Sequence, residues 1–305
     1  MHGSGYGNYA VQNADLIIAA GVRFCVRVTG NFDTFAPKAK IIHIDVDPAE
    51  IGKNIQISIP IVGNVKSVLS QILELKKENQ KYDYSNWVEE IKTKKVKQPL
   101  SYTKGDKLKP QYLIQLINQF FPEDTIVTAD VGQNQMWISQ FHRFKYPRTF
   151  VSSSGLGTMG FSLPASIGAK IGNPHKEVVS ISGDGGFQMN IQELISIKNL
   201  GLNIKIIVLD NQFLGMVKQW QQLYFEKRYT GTVLNSNPDF AEIARAIGIQ
   251  AMTIKSEEEA FEAMKVLAET NEAMLIHAFI DPEENVLPMV PLGNPIDQII
   301  TEIKG

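Results

Sequence analysis

Val178-Val179-Ser180-Ile181-Ser182-Gly183-Asp184-Gly185-Gly186 is followed at Ile204-Lys205-Ile206-Ile207-Val208-Leu209-Asp210-Asn211 by a second run of the same kind. Val178–Ser182 and Ile204–Leu209 are short, β-branched and apolar, and each is followed by Gly, Asp or Asn. Such runs read as parallel strands buried on both faces. Between them, residues 191–197 keep apolar side chains at helical spacing up to a stop at Gly201, which makes a strand-helix-strand unit. Working outward, strands are expected at Ile126–Ala129, Phe150–Ser152, Ala251–Ile254 and Ala273–Phe279. Helices are expected at Gln111–Phe120, Pro164–Gly172, Phe240–Ala246 and Glu257–Glu269. Residues from about 108 to 280 therefore read as one doubly wound α/β domain with a mostly parallel sheet.

The first 70 residues carry a smaller α/β pattern: strand Leu16–Ala19, strand Ile41–Ile44, helix Val65–Leu75. Two strands are too few for a complete sheet. Lys76–Lys107 is rich in Lys, Glu, Gln and Asn and contains Pro99 and Gly105, the composition of a solvated helix and linker. The expected division is a partial α/β domain at 1–75, a linker at 76–107, and the main domain with a C-terminal tail at 108–305.

The 305 residues hold 30 Lys+Arg against 32 Asp+Glu, a net charge of -2. Near-neutrality argues against nonspecific binding to nucleic acid or acidic lipid, because both need a basic patch. No apolar run approaches the roughly 20 residues that span a bilayer. Met1-His2-Gly3-Ser4-Gly5 shows neither an export nor a transit signal. With one cysteine, Cys25, no internal disulfide is possible, and a cytoplasmic compartment is expected.

Gly183-Asp184-Gly185-Gly186 stands just after one strand, and Asn211, 27 residues beyond Asp184, just after the next. In a doubly wound sheet both fall at the carboxyl edge, where ligands bind. Glycines there let backbone approach a phosphate, while Asp184 and the Asn211 amide oxygen are hard ligands suited to Mg2+ that retains diphosphate oxygens. Gly-Asp-Gly alone is a common turn. Together with Asn211 at this spacing, it resembles the signature of thiamine diphosphate (ThDP) enzymes.

Neighbouring segments are similar to motifs of the acetolactate synthase (acetohydroxyacid synthase) catalytic-subunit family. They are residues 131–137 (VGQNQMW), 155–160 (GLGTMG), Gln219-Trp220 and 288–291 (PMVP). Upstream, residues 10–16 (AVQNADL), 27–30 (RVTG) and 44–50 (IDVDPAE) resemble that family's central, FAD-binding domain. The resemblance implies diphosphate near Gly132, Gln133, Asn134, Gly185 and Gly186, and Mg2+ on Asp184, Asn211 and the Phe213 carbonyl. It implies backbone contacts from Gly157 and Met159 to the aminopyrimidine. Met159 would also sit under the bend of the cofactor and press that ring against thiazolium C2. Met216 and Trp220, four residues apart on one helical face, read by themselves as core packing; the family uses them to line the acceptor pocket, with Arg27 also assigned to substrate.

FAD is implied along His2–Arg23 and from Asp45 to about Asn64, with Arg23 and Asp45 as contacts. Asp45, at a strand end, is able to accept a ribose hydroxyl. Two departures stand out. Cys25-Val26 replaces the family's two aspartates, which removes two charges beside the flavin and substrate channel, and Asn134 replaces a histidine. Cys25 reads as a small apolar residue and His43 as structural. Asp130 and His142 are conceivable as an acid/base pair, although nothing in the sequence places them together.

The resemblance further implies decarboxylation of pyruvate and ligation to a second 2-oxo acid in branched-chain amino-acid biosynthesis. The assembly would be a homodimer or tetramer, with room for a regulatory subunit. The family's activating glutamate lies in an N-terminal domain; no residue here matches it, so the chain reads as a C-terminal portion, inactive by itself. Sulfoacetaldehyde acetyltransferase, glyoxylate carboligase and a non-catalytic binding role are the rival readings.

Overall fold

The computed structural model describes residues 3–75 and 82–303. His2, at the start of the expected flavin-lining stretch, lies outside the described residues, as do 76–81 of the expected linker. The chain divides into two compact units, residues 1–101 with 287–305, and residues 102–286.

The second unit contains α5 (Pro110–Phe120), β4 (Ile126–Ala129), α6 (Gln133–Phe141), β5 (Phe150–Ser152), α7 (Ser162–Gly172), β6 (Val178–Gly183) and α8 (Asp184–Met189). It continues with α9 (Glu193–Asn199), β7 (Lys205–Asp210), α10 (Gly215–Tyr224), α11 (Phe240–Ile247), β8 (Gln250–Ile254), α12 (Glu257–Glu269) and β9 (Met274–Phe279). All six strands are parallel, in the order β5-β4-β6-β7-β9-β8.

Side-chain alternation splits the core into two layers. Val179, Ile181, Ile207 and Leu209 pack with Leu113, Ile117, Trp137 and Met264 of α5, α6 and α12. Val178, Ile206 and Val208 face the other way, onto Leu163, Phe187, Leu194 and Phe240 of α7, α8, α9 and α11. The sheet is thus doubly wound, as the runs at Val178 and Ile204 imply. From β4 the chain goes to β5 on one side and then to β6 on the other. The β4/β6 boundary is therefore a topological switch point, where strand ends leave a crevice.

The first unit contains α1 (Gly5–Gln12), β1 (Leu16–Ala20), α2 (Val26–Thr29), β2 (Lys40–Asp45), β3 (Ile59–Val62), α3 (Val65–Glu74) and α4 (Ser85–Lys97). The strands form a parallel sheet in the order β1-β2-β3. One layer of core covers it: Phe24, Phe35, Ala36, Ile41 and Ile296. His43 is fully buried in β2, edge-on to Phe24 at 5.1 Å, as a structural residue would be.

Three differences from the sequence reading arise here. A third strand, β3, completes a small sheet. The helix inside the expected linker, α4, packs on α1: the Tyr9 hydroxyl donates to Glu90 at 2.5 Å and the Lys94 ammonium lies 4.1 Å from the Tyr9 ring centroid. The tail from Leu287, expected with the second domain, belongs to the first unit. It is held there because Ile296 enters that core, the Asn8 amide donates to the Ile296 carbonyl at 2.8 Å, and Asn31 N–H donates to the Asn294 carbonyl at 3.0 Å. Gly30, at φ 62°, admits this contact, since a β-carbon there would collide with the Asn294 carbonyl.

Candidate active site

Three helices of the second unit begin at the carboxyl ends of neighbouring strands: α6 after β4, α8 after β6, α10 after β7. Their first residues interlock. A β-carbon at Gly215 would collide with Gln133 Oε1 and lie 2.7 Å from Asn211 Nδ2, and one at Gly186 would collide with Asp130 Oδ2. These two glycines are demanded by close approach. Gly132 takes φ 137°, which lets the chain turn into α6.

Asp184 opens α8 and is 2% exposed. Its Oδ1 accepts from Gly185 N–H at 2.9 Å, and its Oδ2 from Asn237 Nδ2 at 2.8 Å. Burial, reinforced by the neighbouring Asp210 carboxylate, pushes its pKa up to about 8. Asp210 goes the other way: burial raises it, but hydrogen bonds led by that of His277 Nε2 at 2.9 Å outweigh this, and its carboxyl titrates below the usual range. His277 is buried between β7 and α11, with Nδ1 3.6 Å from Asp239 Oδ1.

Asn211 is buried; its Nδ2 donates to Gln133 Oε1 at 3.3 Å and its Oδ1 accepts from Phe213 N–H at 3.0 Å. Gln133 Nε2 donates to Gln219 Oε1 at 2.9 Å, and Gln219 is tied twice to the Val286 backbone. Gln212, between Asn211 and Phe213, is held at φ 61°. Left-handed geometry in a glutamine is strained and here turns the chain sharply at the strand end.

Of the residues singled out in the sequence, Gly132, Gln133, Asn134, Asp184, Gly185, Gly186, Asn211 and Phe213 gather at these strand ends. The segment carrying Gly157 and Met159 joins them. A β-carbon at Gly185 would lie 3.4 Å from Met159 Cε, and Val131 N–H reaches the Thr158 carbonyl at 3.4 Å. The Asn134 amide is turned back to the Asp130 carbonyl at 3.2 Å. Met216 and Trp220 lie on one face of α10, half-buried, and neither belongs to the core clusters. Asp130 is buried, with Oδ1 accepting from Ser162 N–H at 2.6 Å, and burial raises its pKa. No hydrogen bond joins it to His142 among the described residues.

Arg23, Arg27 and Asp45 belong to the first unit. Arg23 is exposed after β1 and Asp45 ends β2, the neighbouring strand, where its Oδ1 accepts from Asp47 N–H at 2.9 Å. Arg27 is in the last turn of α2. Cys25 caps that helix without a side-chain hydrogen bond.

A divalent cation fits the set around Asp184. The carboxylate is buried, and the two hydrogen-bond donors to it are neutral. Among the described residues no three His, Cys, Asp or Glu side chains gather as a metal cage. One carboxylate with amide and carbonyl oxygens at the adjacent strand end suits Mg2+ that also carries diphosphate oxygens. Helix starts on three adjacent strands add aligned N–H groups for an anion.

Residues 130–278 match the family model described as the C-terminal TPP binding domain of thiamine pyrophosphate enzymes, and residues 1–72 that of their central domain. The whole chain aligns with the "Probable acetolactate synthase large subunit" of Methanocaldococcus jannaschii at 45% identity over 311 residues, 52% of that protein. It aligns at 43% with "Acetolactate synthase 3, chloroplastic" of Brassica napus over 48% of its length, and at 42% with "Acetolactate synthase, chloroplastic" of Arabidopsis thaliana over 47%. The chain thus spans about half the length of the curated relatives it matches. With both units matched and the switch-point crevice built around Asp184, the chain belongs to the thiamine diphosphate (thiamine pyrophosphate) enzymes.

Proposed function

We propose that this chain is the portion of an acetolactate synthase catalytic subunit that holds the diphosphate of ThDP through Mg2+. The supporting observation is the meeting of Asp184, Asn211 and the Phe213 turn at adjacent strand ends, in a chain 45% identical to an acetolactate synthase large subunit. Asp184, Asn211 Oδ1 and the Phe213 carbonyl hold the cation. Gly132, Gln133, Asn134, Gly185 and Gly186 hold the diphosphate, and backbone groups of Gly157 and Met159 orient the aminopyrimidine, with the Met159 side chain as its support. Bound ThDP supplies the electron sink for decarboxylating a 2-oxo acid.

On this reading the donor is pyruvate and the acceptor is pyruvate or 2-oxobutanoate, in branched-chain amino-acid biosynthesis. Met216 and Trp220 face the acceptor, which their half-buried position outside the core favours, and Arg27 is assigned to substrate. FAD would take the first unit, with Asp45 on the ribose and Arg23 nearby. The adjacent ends of β1 and β2 and the open Gly21 support it, while Cys25-Val26 supplies no charge there. A homodimer or tetramer, with a regulatory subunit, is the assembly proposed. Free Cys25 suits a reducing, cytoplasmic compartment, and no helix among the described residues is long and apolar enough to cross a membrane.

Product analysis tests the reading. The chain is incubated with ThDP, Mg2+, FAD and pyruvate, alone and with the N-terminal half of the Methanocaldococcus jannaschii relative. Acetolactate is expected only with that half, and Trp220→Leu should shift competition between 2-oxobutanoate and pyruvate toward pyruvate by about 1–3 kcal/mol. Turnover of glyoxylate or sulfoacetaldehyde in place of pyruvate would move the chain to another ThDP activity. Acetolactate from the chain alone would show that these residues include the activating acid.

A further inference from the structure

Asn237 lies 53 residues after Asp184, in the loop before α11 and outside every motif discussed above. Its Nδ2 donates to Asp184 Oδ2 at 2.8 Å and to Asp210 Oδ1 at 3.2 Å, so one neutral amide bridges two buried carboxylates. The amide cannot turn over without loss. Gln188 Nε2, from α8, donates to Asn237 Oδ1 at 2.8 Å, which leaves the NH2 group to face the carboxylates. Asp210 is anchored in turn by His277 Nε2 on one oxygen and by Gln212 N–H on the other.

We infer that Asn237 is a positioning residue that sets the plane of the Asp184 carboxylate for the divalent cation, with Gln188 fixing its orientation. The inference rests on the Mg2+ site proposed above. The Gly185 and Asn237 donors each hold one Asp184 oxygen, which fixes the carboxyl group in one orientation beside Asp210. Without Asn237 the carboxylate loses a hydrogen bond that fixes its rotation and faces Asp210 with no donor between them. Partners that orient a metal ligand commonly change affinity 10- to 100-fold when removed. The plainer role for Asn237 is to shape the turn before Pro238 and the α11 cap; its N–H reaches the Leu234 carbonyl at 3.3 Å.

The two roles separate in a Mn2+ titration, since Mn2+ takes the same oxygen ligands as Mg2+. Free Mn2+ is read by electron paramagnetic resonance at fixed ThDP for the 305-residue chain, with no turnover required. Asn237→Leu keeps the volume and removes the donors, and Mn2+ should bind 10- to 100-fold more weakly. Asp239→Ala removes the α11 cap, whose Oδ1 accepts from the Ala241 and Glu242 N–H groups, and loosens the same loop while reaching Asp184 only indirectly, through His277 and Asp210. That variant should melt at a lower temperature yet bind Mn2+ within twofold of wild type. Gln188→Leu frees the Asn237 amide and should weaken Mn2+ three- to tenfold, and it decides the matter if Asn237→Leu does not fold. Wild-type affinity in Asn237→Leu or, failing that, in Gln188→Leu would overturn the inference while Asp184→Ala still abolishes binding. Equal weakening by Asp239→Ala would return Asn237 to the turn-shaping role. Unchanged binding in Asp184→Ala would remove the metal site itself, and the inference with it.

Discussion

The second unit buries every residue of β4 and β7, whereas the three-stranded sheet of the first leaves Leu16, Ile18, Ile59 and Val62 exposed. The strands themselves are alike, short, parallel and rich in isoleucine. What differs is cover. The larger sheet has helices on both faces, with a core layer on each, while the smaller has one layer, and α3 buries none of its residues. A parallel sheet gains most when both faces leave water. Stability therefore resides mainly in the second unit, and the first should answer weakly to changes on its open face.

Substitutions across the two units should bear this out in decreasing steps. Phe187, buried and edge-on to Phe240 at 5.3 Å, should cost about 3–5 kcal/mol as Phe187→Ala in urea unfolding of the second unit. A cost below 1 kcal/mol would mean that this layer is loosely packed. Gly186→Ala drives a β-carbon into Asp130, which is pinned by Ser162 N–H, and should lose about 1–3 kcal/mol. Gly168 serves as the control, since it is helical and exposed with nothing within 4 Å of a β-carbon. There alanine should stabilise by about 0.4–1 kcal/mol. Ile18→Ser, on the open face of the smaller sheet, should stay within about 0.5 kcal/mol. A large loss at Ile18 would show that this face is covered in solution and break the comparison.

The same contrast explains what could be read in advance. The four central strands of the larger sheet, β4, β6, β7 and β9, announce themselves because burial on both faces enforces continuous apolar runs, and the turn residues after them mark the strand ends. Hence the placement of Asp184, Gly185, Gly186 and Asn211 at strand ends was legible from the sequence, while the role proposed for them came with the family resemblance. β3 was not: Pro60 interrupts the pattern and is tolerated only because β3 is an edge strand, where its missing N–H leaves no ladder partner unmet. The placement of the tail and the packing of α4 on α1 escaped because their contacts, Ile296 in a distant core and Tyr9 against Glu90, carry no local signature. Asp210, Asn237 and His277 were missed for the same reason, since their links span tens of residues, and Asp130 was noticed only beside His142, whereas its carboxylate accepts from Ser162 N–H. Asp210, a buried Asp closing β7 just before Asn211, was the sequence signal for part of that network.

The central claim is that Asp184 holds the cation that joins protein to diphosphate. Calorimetric titration of the chain with ThDP, with and without Mg2+, tests it most directly in wild type and Asp184→Ala. The account predicts Mg2+-dependent binding in the wild type and its loss in the variant, because the diphosphate loses its bridging charge. Equal, Mg2+-dependent affinity in both proteins would contradict it.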